Sequence, residues 1–211
     1  MHNKQSAAEI VSALKQLYPA AECSLSYGGE PWKLLVMSIL SAQCTDRRVN
    51  IIAEELFQKY PMPEALANSD INELERIIKS CGLYKTKAKN IRASCALMVE
   101  KYDSTPPDTL EELLKLPGVG RKIANLILGD IYGKPAIVTD THCMRISKRL
   151  GLTAPEDKTP FAIERRLSAL IEPAEQSDFC HRLVLFGREY CTARSPRCNE
   201  CPLISLCERN L

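Results

Sequence analysis

Four of the chain's cysteines, Cys191, Cys198, Cys201 and Cys207, fall within seventeen residues, with six, two and five residues between successive members. Thiolates so close in sequence can converge on one centre with little help from the rest of a fold, and soft sulfur ligands select zinc or an iron–sulfur cluster. Structural zinc sites more often show two short ligand pairs separated by a longer finger. Here there is one Cys-x-x-Cys pair, flanked at unequal distances. The corners of an iron–sulfur cubane spread widely enough to accept uneven loops, so the spacing favours iron–sulfur and leaves zinc open. The other six cysteines, Cys23, Cys44, Cys81, Cys95, Cys143 and Cys180, have mostly small or apolar neighbours and read as buried packing residues.

A second group lies between Leu116 and His142. Leu116-Pro117-Gly118-Val119-Gly120 carries two glycines just ahead of an expected helix from Arg121 to about Tyr132. The glycines permit a tight reversal and leave amides uncovered at a helix N-terminus, where the dipole favours an anion such as a backbone phosphate. Such a contact positions a nucleic acid without reading its bases. An ordinary helix–turn–helix corner has the same glycines; the local charge raises the phosphate reading. From Pro117 to Leu150 there are six basic side chains, Arg121, Lys122, Lys134, Arg145, Lys148 and Arg149, against Asp130 and Asp140, a net +4 over thirty-four residues. Lys122 opens the expected helix. The dipole disfavours its ammonium there, and partial burial would depress its pKa further and free the amine as a nucleophile. Asp140, in Val138-Thr139-Asp140-Thr141-His142, suits the N-cap of a helix starting near Thr141. It can equally serve as the carboxylate that faces Lys122.

The elements that must position these residues read as helices nearly throughout. Ile10, Leu14 and Leu17 mark one face of a first helix, and Leu34 to Leu40 a largely buried one. Val49 to Leu56, the stripe Ile71, Leu74, Ile77 and Ile78, and Ala88 to Val99 follow. Thr109 suits the cap of a helix from Leu110 to Lys115. Glycine and proline fall mostly between these stretches, and the β-branched run Ile137 to Thr139 is short. The expected fold class is all-α, with about ten helices and short connections. With 211 residues, 45% apolar and 26% charged, the chain is neither a disordered tail nor a membrane bundle. No apolar run approaches the roughly 18 residues of a spanning helix. Met1 to Ala8 shows no secretory signal, which points to a reducing cytoplasm where ten cysteines are not a disulfide framework. The whole-chain charge of +2 hides the local basic excess.

The Leu116 to Lys122 segment, Val138-x-Asp140-Thr141-His142 and the C-terminal cysteines occur in order. With Leu40-Ser41-Ala42-Gln43-Cys44-Thr45-Asp46 and Gly82-Leu83-Tyr84-Lys85-Thr86-Lys87-Ala88, they resemble the endonuclease III family of DNA glycosylases, in the helix–hairpin–helix superfamily, over nearly the whole chain. The resemblance implies a two-domain helix–hairpin–helix fold with a cleft. A six-helix barrel would span 25–135, and a discontinuous iron–sulfur domain 1–24 plus 136–211. It implies excision of oxidised pyrimidines such as thymine glycol from duplex DNA, followed by nicking of the abasic site. Lys122 matches the nucleophile and Asp140 the carboxylate. Cys191, Cys198, Cys201 and Cys207 match the ligands of a [4Fe–4S] cluster. Gln43 matches the side chain that fills the gap of a flipped nucleotide, and Leu83 a wedge. Leu116, Gly118, Val119 and Gly120 match the phosphate clamp, whose carbonyls also hold a monovalent cation. Arg121, His142, Arg145, Arg194 and Arg197 complete the implied DNA-contacting set. The implied partner is double-stranded DNA with damaged pyrimidines or abasic sites, bound by a monomer in a bacterial or archaeal cytoplasm. Two positions depart from the family pattern: Ile123, where Thr is frequent, and Cys44, where Ala is common. Lys122 speaks against a monofunctional mismatch glycosylase, and Lys122 with Asp140 against a non-catalytic DNA binder.

Overall fold

The computed structural model describes residues 3 to 209; Met1, His2, Asn210 and Leu211, the ends of the N-terminal and C-terminal segments read above, lie outside the described residues. Regular structure among them is helical, as expected. The helices are α1 (Lys4–Leu17), α2 (Pro31–Leu40), α3 (Asp46–Lys59), α4 (Pro63–Ala67), α5 (Ile71–Ile78) and α6 (Tyr84–Lys101). They continue with α7 (Leu110–Leu113), α8 (Arg121–Asp130), α9 (Thr141–Leu150), α10 (Pro160–Leu170) and α11 (Gln176–Glu189), with four short 3-10 turns. The run Ile137 to Thr139 is buried but forms no strand. No helix among the described residues is long and apolar enough to cross a membrane.

The chain divides into two compact units. One is the continuous stretch Ser24–Tyr132; the other joins the residues up to Cys23 to those from Gly133 onward.

In the continuous unit, α2 is the buried centre. Pro31 sets its first turn, and Trp32 and all seven residues from Leu34 to Leu40 are buried, including Ser38, whose hydroxyl returns a hydrogen bond to Leu34 O at 2.7 Å. Helix α5 shows why spacing predicts packing: Asp70 caps it through Glu73 N at 2.9 Å, and Leu74, Ile77 and Ile78 turn inward. Helix α6, the longest, packs on α4, α5 and α2 with the face Lys87, Ala88, Ile91, Ser94, Cys95 and Met98. Helix α7 keeps its Thr109 cap but ends at Leu113, two residues early. Its last turn tightens to Lys115 N→Glu112 O and Leu116 N→Leu113 O, because the residue before Pro117 is barred from continuing the α-helix. Helix α8 likewise ends at Asp130 rather than near Tyr132.

In the discontinuous unit, α1 and α9 pack on α11. Ile10 and Leu14 of α1 are fully buried, while Leu17 is half-buried. The Arg182 guanidinium of α11, 1% exposed as a residue, donates to Glu175 at 3.0 Å and Asp178 at 2.7 Å, and to Tyr18 O at the end of α1. Burying a guanidinium is tolerable because each of its prongs finds an acceptor. Of the six cysteines expected to be buried, Cys81, Cys95, Cys143 and Cys180 are; Cys23 and Cys44 are half-buried, because each lies in a connection outside the helical core.

Candidate nucleic-acid site and cluster centre

In the continuous unit, α6 organises three of the segments singled out in the sequence. Leu83 precedes it, and Lys87, Asn90 and Ser94 follow at spacings of four, three and four, which places them along one side of the helix. Ser94 Oγ donates to Pro117 O at 2.6 Å and holds the hairpin between α7 and α8. Gly118 lies on Asn90: its φ is +82°, and a Cβ there would stand 2.8 Å from both Asn90 Cβ and Asn90 Nδ2. The reversal is completed by Val119 N→Leu116 O at 3.0 Å. The side chains of Leu116 and Val119 are buried, so a phosphate would meet this hairpin through its main chain.

Gly120 is the N-cap of α8 and contributes no capping side chain. The amides of Arg121, Lys122 and Ile123 therefore carry the helix N-terminus. Lys122 is exposed at the second helical position, so the partial burial expected for it is not found; its neighbours Ala124 and Asn125 take the inward face instead. Arg121 is half-buried.

Gln43 follows α2, and Leu83 caps α6. Both are exposed, Leu83 by 56%, and both have left-handed backbone, with φ of 55° and 49°. Neither is glycine, so each conformation is strained by roughly 1–3 kcal/mol. Strain of this kind clusters at ligand clamps and active sites. Nothing in the local sequence signals it beyond Gly82, itself at φ +67°.

In the discontinuous unit, Asp140 is the N-cap of α9, accepting from Cys143 N at 2.7 Å through Oδ1. The cap expected from the sequence is present, and the second carboxylate oxygen is outside that bond. Within the first turn of α9, His142 Nδ1 lies 3.2 Å from Arg145 Nη2. Arg145 also donates to Cys191 O through Nε at 3.2 Å and through Nη2 at 3.1 Å. Arg149, one turn further, reaches Thr192 O at 2.7 Å, Ala193 O at 3.0 Å and Cys191 Sγ at 3.5 Å. Sequence reasoning counted both arginines towards a basic field. The structure commits them to the loop after α11, an arrangement that the i, i+4 spacing on α9 permits but does not announce. Arg194 and Arg197 are exposed on that same loop.

Cys191, Cys198, Cys201 and Cys207 line one pocket with Arg149, Leu150 and Tyr190 among its other walls. Burial pushes the thiols of Cys201 and Cys207 up, and the neighbouring thiols of the group add to the rise. Cys207 Sγ lies 3.2 Å from Arg149 O and accepts from Arg209 N at 3.3 Å. No three His, Cys, Asp or Glu side chains among the described residues close on a single-ion site; the four thiols stand around a space instead. Four soft donors around a cavity, with a guanidinium and a main-chain amide directed at sulfur, fit a polynuclear iron–sulfur group.

Comparison with known proteins agrees with this chemistry. Residues 36–173 match the helix–hairpin–helix superfamily of base-excision DNA repair proteins, and residues 191–207 match the iron–sulfur binding domain of endonuclease III. An endonuclease III from Synechocystis is 50% identical over 205 residues, covering 97% of this chain and 92% of that protein. The Bacillus subtilis endonuclease III is 46% identical, covering 90% and 86%. A solved structure of a trapped endonuclease III–DNA covalent intermediate superposes with a TM-score of 0.93 at 41% identity, covering 100% of this chain and 98% of that one. The chain belongs to the endonuclease III family, the base-excision repair DNA glycosylases and abasic-site lyases that carry a [4Fe–4S] cluster.

Proposed function

We propose that Lys122 is the nucleophile of this glycosylase and lyase. Its amine attacks C1′ of a flipped nucleotide, the N-glycosidic bond breaks and the base departs. The sugar ring then opens as the C1′–O4′ bond breaks, O4′ takes up a proton and the nitrogen lone pair forms the protonated imine at C1′, which makes the C2′ proton acidic; loss of that proton expels the 3′ phosphate by β-elimination. The observation that carries this reading is the exposed Lys122 immediately behind the uncapped amides of α8, where a phosphate would hold the sugar beside the amine. Asp140 serves as the carboxylate that accepts a proton from Lys122 or offsets positive charge developing at the sugar. It can do so while capping α9, because the cap uses one oxygen.

Oxidised pyrimidines such as thymine glycol, in duplex DNA, are the proposed substrates, together with pre-existing abasic sites. The protein works as a monomer on nucleoid DNA in the cytoplasm. Gln43 and Leu83 replace stacking lost when the nucleotide leaves the helix, and flipping costs a few kcal/mol that such fillers partly return. Gly118 and Gly120 admit the phosphate, a monovalent cation sits on the hairpin carbonyls, and Arg121, His142, Arg194 and Arg197 add contacts to the backbone. Arg145, which also holds the loop after α11, adds a further contact to the backbone. The four cysteines would hold the cluster, which when bound would cross-link the loop bearing Arg194 and Arg197.

Borohydride trapping on abasic and thymine-glycol duplexes tests the assignment. Wild type is expected to give a covalent protein–DNA adduct and Lys122→Ala none. An equal yield of adduct from Lys122→Ala sinks the assignment.

A further inference from the structure

Lys87 is an unusual residue to bury. It is 3% exposed, and its ammonium donates to Leu40 O and Cys81 O, each at 2.8 Å. An ammonium removed from water is costly unless its protons are bound, and neutral carbonyls supply no opposing charge. Burial lowers its pKa, while the nearby Cys81 and Cys44 thiols act in the opposite direction. A methionine would occupy a similar volume without that cost. The ammonium instead joins two places 41 residues apart in the chain (Leu40 and Cys81).

Both places adjoin strained positions. Leu40 ends α2, three residues before Gln43, and Cys81 ends a 3-10 turn, two residues before Leu83. The Lys87 amide also donates to Leu83 O at 3.0 Å, so one residue contacts the turn on both sides of Gly82. Left-handed backbone at residues other than glycine persists only where the surroundings over-determine it. The two hydrogen bonds of Lys87 supply that constraint to both segments at once.

We infer that Lys87 is a positioning residue whose ammonium ties the end of α2 to the turn before α6, so that Gln43 and Leu83 are presented to a duplex as one rigid pair. The inference rests on the reading of Gln43 and Leu83 as gap-fillers. It assigns Lys87 no contact with DNA and no part in bond-making.

The test uses the full-length, cluster-loaded protein and a duplex with 2-aminopurine opposite a tetrahydrofuran abasic-site analogue, whose fluorescence rises when the base unstacks. Lys87→Met keeps the stem and removes the donors; Lys87→Gln retains a donor for one carbonyl. In Lys87→Met the fluorescence rise at saturating protein is expected to fall about fivefold, with affinity for undamaged duplex changed by less than about twofold. Amide exchange is expected to quicken about tenfold in residues 41–45 and 81–84 together, with α3 and α5 unchanged and Lys87→Gln intermediate. Unchanged fluorescence in a folded variant, or faster exchange spread through the whole unit, overturns the inference. If Lys87→Met does not fold, Lys87→Gln decides on the same criteria, and failure of both to fold assigns Lys87 to stability alone. Gln43→Ala and Leu83→Ala run alongside. If neither lowers the fluorescence, the gap-filler reading fails; if they do and folded Lys87 variants do not, the positioning role alone fails.

Discussion

The hairpin offers two glycines two residues apart whose replacement by alanine should have very unequal consequences. At Gly118, φ is +82° and a new Cβ would stand 2.8 Å from Asn90 Cβ. Left-handed backbone costs alanine about 1–2 kcal/mol. The Cβ contact is shorter than the usual carbon–carbon separation by about 0.7 Å or more, and Asn90 Cβ is fixed to the α6 backbone, so it cannot swing aside. Overpacking of that kind adds about 1–3 kcal/mol. Reduced freedom of the unfolded chain returns about 0.4–1 kcal/mol, for a net loss of about 1–4.5 kcal/mol. At Gly120, φ is −95° and ψ 176°, and a Cβ would meet no heavy atom within 4 Å. There the weaker capping of alanine and the lower unfolded entropy nearly cancel, leaving a change of about 0.5 kcal/mol or less. Trp32, the chain's single tryptophan, is buried in α2 of the same unit and reports its unfolding. With a urea slope of about 1.5 kcal/mol/M, Gly118→Ala should lower the midpoint of the Trp32 transition by about 0.7–3 M, and Gly120→Ala by no more than about 0.3 M. Equal shifts in the two variants, or a Gly118→Ala shift below about 0.5 M, would refute the reasoning.

Asp140→Asn should keep the cap on Cys143 N and the stability of α9 while losing excision, whereas Asp140→Ala should lose excision and about 1 kcal/mol as well; thermal melts paired with base-release assays separate the two roles. Leu83→Ala removes a side chain that is 56% exposed, so stability should change by less than about 0.5 kcal/mol while excision from duplex DNA slows; a melt shifted as much as the rate would contradict this. Hydrogen bonds from Lys15 and Arg182 hold the Glu175 carboxyl below its ordinary value against the opposing effect of burial. A carboxyl lowered in the folded state stabilises above its unfolded pKa, about 4.3, and loses that contribution as pH falls through the folded value. Thermal stability measured from neutral to strongly acidic pH should thus fall on the acid side, and Glu175→Gln should flatten that fall.

Residues whose partners are local were legible in the sequence. The caps Thr109 and Asp140 and the stripe on α5 follow from short-range spacing, and each is present. The cysteine tail was legible for the same reason, since seventeen residues can close on themselves. What escaped were charges whose partners lie far along the chain. Nothing in the residues around Lys87 marks it for burial until Leu40, 47 residues away, is brought to it. Arg145 and Arg149 read as free cations until the carbonyls 42 to 46 residues later are seen to take them. The strained φ at Gln43 and Leu83 escaped because left-handed backbone is normally announced by glycine, and here the constraint comes from tertiary contacts.

The division of the chain also orders its synthesis. The stretch Ser24–Tyr132 is synthesised in full, with the partners it packs on inside its own unit, before Gly133 is added. Helix α1, made earlier still, finds its partners late: it packs on α11 and on the turn Ile204–Leu206, Lys15 pairs with Glu175, 160 residues later, and Tyr18 with Glu189. At about 5–20 residues per second, the apolar face of Ile10 and Leu14 waits about 8–30 s for its cover. That interval is when a nascent chain is most exposed to wrong partners. The four cysteines follow α11 directly, so the ligands of the cluster are supplied by the same late-made stretch that covers α1.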